Sequence, residues 1–324
     1  MIPIELLDLP HVEAKRLAAT GVPVFLTVNP VEYHGPHLSL HNDRLVSRGL
    51  ARDLHARLIA RGGEAATWPL VFASDLEVGV EPCPGPGSRQ LSYAVVRDVV
   101  RETCRALAEL GVQRVVILTF HGAPLHNLAI EAGLAVLRKA GVRAVAPFNL
   151  VMQEQLTLDP SEFKDAVKHL DEPLRTQILE GLRYDFHAGF FETSVTLHYA
   201  PQAVSPIYKE LPPCPAFGDD RVTAGIHRVM PAGVFATEVR FVSRAMGWMN
   251  LRPFNAYTSH PALATPEAGA VFAESMLDKF EAPTVASLLG SGVGTQPIMP
   301  WLRFLSLGGR VAKAPHIPLD QMRL

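Results

Sequence analysis

Glu32, His34 and Asp43 are the first residues of this chain whose types and spacing suggest chemistry. They lie in Val31-Glu32-Tyr33-His34-Gly35-Pro36-His37-Leu38 and in Asn42-Asp43. In an extended segment alternate side chains share a side, so Glu32 and His34 point the same way. The Gly35-Pro36 turn can bring Asp43 back to them. Two carboxylates and an imidazole suit a divalent cation, and an aspartate with two oxygens can bridge a pair of cations. The same residues also read as a solvated loop around a turn histidine, and this segment alone does not separate the two.

Two further segments carry similar groups. Thr119-Phe120-His121-Gly122 ends an apolar run, placing a histidine where a glycine lets backbone approach a ligand. A capped strand end with a surface histidine is the plainer reading. In Asp185-Phe186-His187-Ala188-Gly189-Phe190-Phe191-Glu192-Thr193-Ser194, Gly189 implies a tight turn between His187 and a carboxylate that opens a strand. Taken alone it is an ordinary loop with a His and a Glu.

In this order the three segments resemble the creatininase (creatinine amidohydrolase) family. Glu32, His34, Gly35, His37, Leu38 and Asp43 fill its first motif, Glu-x-His-Gly-x-His-Leu-Pro followed by Thr-Asp. His121 and Gly122 keep the middle of Asn-Gly-His-Gly-Gly-Asn. His187, Ala188, Gly189, Glu192, Thr193 and Ser194 reproduce His-Ala-Gly-x-x-Glu-Thr-Ser. Weaker echoes are Pro84-Gly85 and Leu263-Ala264-Thr265-Pro266-Glu267-Ala268-Gly269. Ser39 and Asn42 depart from the family's Pro and Thr, and Ala123-Pro124 replaces its Gly-Asn. In creatininase itself a Glu at the Ala123 position is a metal ligand, so this chain is not expected to hydrolyse creatinine by that scheme unchanged. Glu192 is put in its place.

The resemblance implies two divalent ions per chain (zinc, manganese or iron), one on Glu32, Asp43 and His121 and one on His34, Asp43 and Glu192. It implies hydrolysis of an amide, lactam or formamide C–N bond by a hydroxide bridging the ions. His187 would stabilise the oxyanion or protonate the leaving nitrogen. A homo-oligomer is implied too, a hexamer in resembling proteins. Competing readings are a deformylase or peptide-trimming enzyme of cofactor biosynthesis, and a non-catalytic binding or assembly subunit. Retention of all five ligand positions favours an enzyme, while Ala123-Pro124 favours the subunit.

The elements that must position these residues are legible from periodicity. Val22 to Val28, Ala66 to Ala73, Arg114 to Phe120 and Val142 to Pro147 read as strands. Asp43 to Arg61, capped by Asn42 or Asp43, reads as a helix, as do Gln90 to Leu110, Leu125 to Ala140 and Pro266 to Phe280. Their alternation predicts an α/β three-layer sandwich with a central, mostly parallel sheet, its ligands beyond the strand carboxyl ends. Ser161 to Arg183 reads as a solvated helix pair or lid broken by Pro173, and Thr193 to Tyr199 as a strand. We expect one domain over 1–324, with an irregular elaboration at 201–253 and a C-terminal extension at 281–324. Trp248, Met249, Trp301, Leu302 and Phe304 fall outside the expected core and suggest an interface, or packing on their own domain.

Composition narrows the class. The 324 residues are 48% hydrophobic, and 30 basic against 32 acidic residues give a net charge of −2. That balance argues against a phosphate-tracking nucleic-acid binder. Cys83, Cys104 and Cys214 form no C-x-x-C pair, which suits a reducing cytoplasm. MIPIELLDLP lacks the basic start of a secretory signal, and no apolar run is long enough for a membrane span. His37 is expected to support the site through hydrogen bonds, and His41, His126 and His198 to be structural. Cys83 reads as an inert small hydrophobe, Ser161-x-x-Lys164 as chance, and Gly290 to Gly294 as a loop.

Overall fold

The computed structural model describes residues 2–219, 233–290, 295, 298–311 and 316–323. Its centre is a five-stranded sheet of β1 (Ile4–Glu5), β2 (Pro23–Val28), β3 (Val71–Leu76), β4 (Arg114–Leu118) and β5 (Arg143–Val145), in the order β1-β3-β2-β4-β5. Every pairing is parallel. The reason is visible in β2, whose six residues are all buried. A strand that is apolar on both sides needs helices on both faces, and those helices are the crossovers that make neighbouring strands parallel.

The two faces hold separate cores. Val24, Leu26 and Val28 of β2 pack with α1 (His11–Ala19), α3 (Tyr93–Leu110) and α4 (Pro124–Lys139) through Ala18, Val100 and Leu134. Phe25, pointing the other way, joins Leu50 and Leu54 of α2 (Asn42–Ala60) and Phe148 of α5 (Phe148–Gln155). The same core takes Phe190 of α7 (Phe190–Tyr199). It also takes Phe272 of α9 (Pro266–Leu289) and Ile178 of α6 (Leu174–Gly181). This is the three-layer α/β arrangement expected from periodicity.

Several local expectations are corrected. Thr193 to Tyr199 is not a strand but part of helix α7, so Glu192 sits in a helix first turn. Its aromatic and β-branched residues imitate strand alternation, yet Phe190 and Glu192 through Thr196 are all buried between helices, which hides the helical period. Gly269 lets α9 cross α7 closely: a Cβ there would lie 2.0 Å from the Ser194 carbonyl oxygen. Ala66 and Thr67 belong to a 3-10 turn, and β3 starts at Val71. Neither Asn42 nor Asp43 caps α2, whose N-cap is His41; both lie inside its first turn.

The 160–184 segment is not a solvated pair. Phe163, Ala166, Leu170, Ile178 and Leu182 are buried in the core beneath α9. Within 201–253 the chain forms helix α8 (Val234–Met249) rather than irregular structure alone. Trp248 is 4% exposed and packs on Phe254 and Phe186 of its own chain, while Phe304 stays 72% exposed. Of the expected glycine-rich loop, Ser291 to Gly294 lie outside the described residues. Among the described residues no helix is long and apolar enough to cross a membrane.

Candidate metal centre

Glu32 follows β2, His121 follows β4, and Glu81 and Cys83 follow β3, so the carboxyl edge of the parallel sheet gathers them. Asp43 enters from the first turn of α2, where the helix dipole favours a carboxylate. His187 and Glu192 arrive from the turn before α7 and from α7 itself. That turn is held by Asp185, which accepts hydrogen bonds from the Phe191 N–H (2.8 Å) and the Thr258 hydroxyl (2.9 Å). Only glycine fits at 189, because a Cβ would fall 1.8 Å from Asp185 Oδ1. Ala188, at φ +47°, donates its N–H to Glu192 Oε2 at 2.5 Å.

Each of three imidazoles is tied by one nitrogen to a backbone carbonyl. His34 Nδ1 lies 3.1 Å from Glu32 O, His121 Nε2 lies 2.9 Å from Val80 O, and His187 Nε2 lies 3.1 Å from Tyr33 O. A carbonyl only accepts, so the tied nitrogen carries the proton and the other presents a lone pair. Those lone pairs face carboxylates: His34 Nε2 is 3.0 Å from Asp43 Oδ1 and 3.8 Å from Glu192 Oε2. His121 Nδ1 is 2.8 Å from Glu32 Oε2 and 3.7 Å from Asp43 Oδ2. His187 Nδ1 is 3.7 Å from Glu32 Oε1. Two acceptors facing each other across 3 Å in a dry interior repel unless a cation or proton lies between them. Asp43 Oδ2 is moreover buried without a hydrogen-bond donor among the described residues.

The electrostatics of the cluster follow from burial and from the carboxylates around each imidazole. Burial opposes charge on His34 and His121, yet the surrounding carboxylates overrule it and raise them to about 10 and about 9. Burial likewise opposes ionisation of Glu32, but His121, His34 and His187 hold its carboxyl far below the usual range. Burial pushes Glu192 up to about 8, and burial with the His34 charge pulls His187 down to about 4. Protons on His34 and His121 thus stand where cations fit. Among the described residues two groups have ligand atoms close enough to hold one: Glu32, Asp43 and His121, and Glu32, His34 and His187. Four of the five expected ligand residues fall in these groups, whereas Glu192 falls in neither and meets the cluster through His34 Nε2 at 3.8 Å, with His187 in the place expected for it.

The other histidines support the frame. His37 Nε2 pairs with the Thr193 hydroxyl at 2.9 Å, tying the first motif to α7. His126 is fully buried, bonds to Val28 O at 3.1 Å and sets its ring against that of His121. Burial, with His121 beside it, pulls His126 down to about 3. An unfolded chain binds that proton near pH 6.5, so acid favours unfolding between pH 6.5 and 3. Stability is expected to fall there by up to about 1.4 kcal/mol per pH unit from this group. Urea midpoints at pH 7 and pH 5 check it: the gap between them should narrow in His126→Gln, and an unchanged gap refutes the assignment.

Three contributors were not legible in the sequence. Trp248 lies with its ring 5.4 Å from that of His187, and no local motif marks it. Glu81, at φ +59°, lines the same cavity, its carboxyl raised by burial against the pull of His121. Its place before Pro82-Cys83-Pro84 was the available signal. Asp185, raised by burial to about 6, was visible only as a neighbour of the third motif. The Cys83 thiol is raised well above its usual value by burial, in keeping with an inert residue, while its N–H donates to Glu32 Oε1 at 2.6 Å.

A parallel α/β sheet with carbonyl-tethered imidazoles among buried carboxylates at its carboxyl edge defines an α/β protein with a candidate metal site there. The family model described as creatininase, creatinine amidohydrolase, matches residues 7–282, and the chain belongs to the creatininase family. A manganese form of creatininase superposes with a TM-score of 0.55 at 18% identity, over 88% of this chain and 98% of that one. A zinc–zinc form of a creatininase variant gives 0.57 at 19% identity, over 88% and 98%. A crystal structure of creatinine amidohydrolase (creatininase) gives 0.55 at 19% identity, over 87% and 96%. At these identities the likeness is one of fold. No protein of curated function matches the chain in sequence.

Proposed function

We propose that this chain is an amidohydrolase that depends on two divalent cations and cleaves the C–N bond of an amide, lactam or formamide other than creatinine. The observation that carries the reading is the pair of carbonyl-tethered imidazoles that turn their other nitrogen onto buried carboxylates, His34 Nε2 to Asp43 Oδ1 at 3.0 Å and His121 Nδ1 to Glu32 Oε2 at 2.8 Å. In this reading Glu32, Asp43 and His121 would hold one cation, and His34, Asp43 and Glu192 the other, with Glu192 Oε2 standing 3.8 Å from His34 Nε2. When bound, such cations supply Lewis acidity toward a carbonyl oxygen and lower the proton affinity of water.

The chain's own groups do the rest. Asp43 offers one oxygen to each half of the site. His187 keeps its proton on Nε2 against Tyr33 O, so Nδ1 is free to take a proton and return it to the departing nitrogen. Glu192 is oriented by the Ala188 N–H. Ala123, the N-cap of α4, carries no carboxylate, and Pro124 follows it as the first helical residue, which favours a substrate other than creatinine.

The test uses chelator-stripped full-length protein titrated with zinc, manganese or ferrous ion. Elemental analysis should find two ions per chain, melting should rise on loading, and hydrolysis should appear within a panel of lactams, formamides and short peptides. Absence of both bound ion and thermal shift with every metal overturns the reading. Loading without turnover of any amide leaves the non-catalytic subunit as the better account.

A further inference from the structure

A cavity of about 660 Å³ opens beside Glu32, His34, His121, His187 and Glu192. That volume suits a drug-sized molecule, far more than a five-membered lactam needs. Away from the cluster its wall is aromatic and thioether: seven of the chain's 15 phenylalanines and four of its eight methionines line it. These counts decide the chemistry, because such a wall offers mainly dispersion contacts, with a few polar groups such as Glu81 and Gln155 among them. An ion pair in the wall, Lys279 Nζ to Glu154 Oε2 at 3.0 Å, is satisfied internally, and Ser275 Oγ at 2.6 Å accepts a further hydrogen bond from Lys279. Trp248 donates its indole N–H to the Tyr257 carbonyl at 3.0 Å, so beside His187 it contributes ring surface only.

The wall comes from elements that reach the site only in the folded chain. Phe148 and Met152 come from α5, Phe241 and Ala245 from α8, and Phe272 and Met276 from α9. Methionines among aromatic rings adapt to more than one shape, so the wall selects an apolar class rather than one outline. We propose that the substrate of this centre carries a bulky apolar arm, aromatic or aliphatic, on its acyl side, and that the arm fills this cavity while the amide meets the carboxylate–imidazole cluster. The proposal rests on the amidohydrolase reading. In the reaction water adds to the amide carbon, the C–N bond breaks, and the nitrogen leaves with both of the water's protons, giving a carboxylate and an ammonium.

The experiment runs cation-loaded full-length protein against primary carboxamides from acetamide to octanamide, with phenylalkyl amides alongside, following ammonia release. Each buried methylene should raise kcat/KM by about fourfold until the cavity is full. Ala245→Trp, which occupies the cavity, should end that gain earlier in the series, and Val242→Phe gives a second variant should the first not fold. In parallel, calorimetry on chelator-stripped protein should show the longer amides binding with a negative heat-capacity change. Binding that grows with the arm while no amide is cleaved supports the apolar cavity and counts against the hydrolase reading. Turnover that is flat along the series, with no binding of the longer amides, overturns the apolar arm and leaves the hydrolase reading standing.

Discussion

Asp43→Ala is expected to lose both cations and to lower turnover by at least about 10³-fold, the largest effect of any single change at the site. Its two oxygens divide between the halves of the cluster, Oδ1 at 3.0 Å from His34 and Oδ2 at 3.7 Å from His121. Glu32 is placed differently, since Oε1 accepts the Cys83 N–H and Oε2 alone approaches His121. On the proposed two-cation reading, removal of Asp43 would take a ligand from each cation and the shared anion that lets two like charges sit close together. Glu32→Ala and His121→Ala should each keep one ion per chain. Asp43→Asn, which preserves shape in the first turn of α2, separates loss of charge from loss of fold. Elemental analysis with circular dichroism reads all four variants. An Asp43→Ala protein that still holds two ions, beside a His121→Ala protein that holds none, rules out the bridging role.

His187→Ala is expected to keep both ions while turnover falls about 10²–10⁴-fold, the range of a single acid–base group. His187 Nε2 is committed to the Tyr33 carbonyl, and burial keeps the ring neutral near pH 7. Nδ1 is therefore a proton acceptor, 3.7 Å from Glu32 Oε1, on a ring that lines the cavity. His187→Asn should recover little, because an amide does not take up a proton; substantial recovery would instead assign hydrogen bonding to the oxyanion. The ring also stacks on His34 at 4.5 Å between centroids, and its Nδ1 lies within reach of a cation shared with Glu32 and His34. If His187→Ala removes an ion, His187 is a ligand, and the division of roles among His121, Glu192 and His187 must be redrawn.

Much of the frame was readable in advance because burial leaves a local period. The apolar runs of β2 and β4, and the 3.6-residue spacing in α2, α3 and α4, report which faces are covered without reference to distant residues. Gly111, at φ +99°, stops α3 where a glycine is expected. The ligand types were equally local, since carboxylate and imidazole chemistry belongs to Glu32, His34, Asp43, His121 and Glu192 wherever they lie.

What tertiary structure alone decided is direction and enclosure. Helix α7 reads as a strand locally because it is wrapped by α2 and α9, and a segment buried on several sides loses its amphipathic signature. The nitrogen that each imidazole turns inward is set by carbonyls of Glu32, Val80 and Tyr33, and for His121 and His187 those lie 41 and 154 positions away. Trp248 reaches His187 from α8, and α5, α8 and α9 close a cavity that no single segment encodes. Residue type fixes which atoms can bind a cation or accept a proton, but only packing fixes where their lone pairs point and how much apolar wall surrounds them.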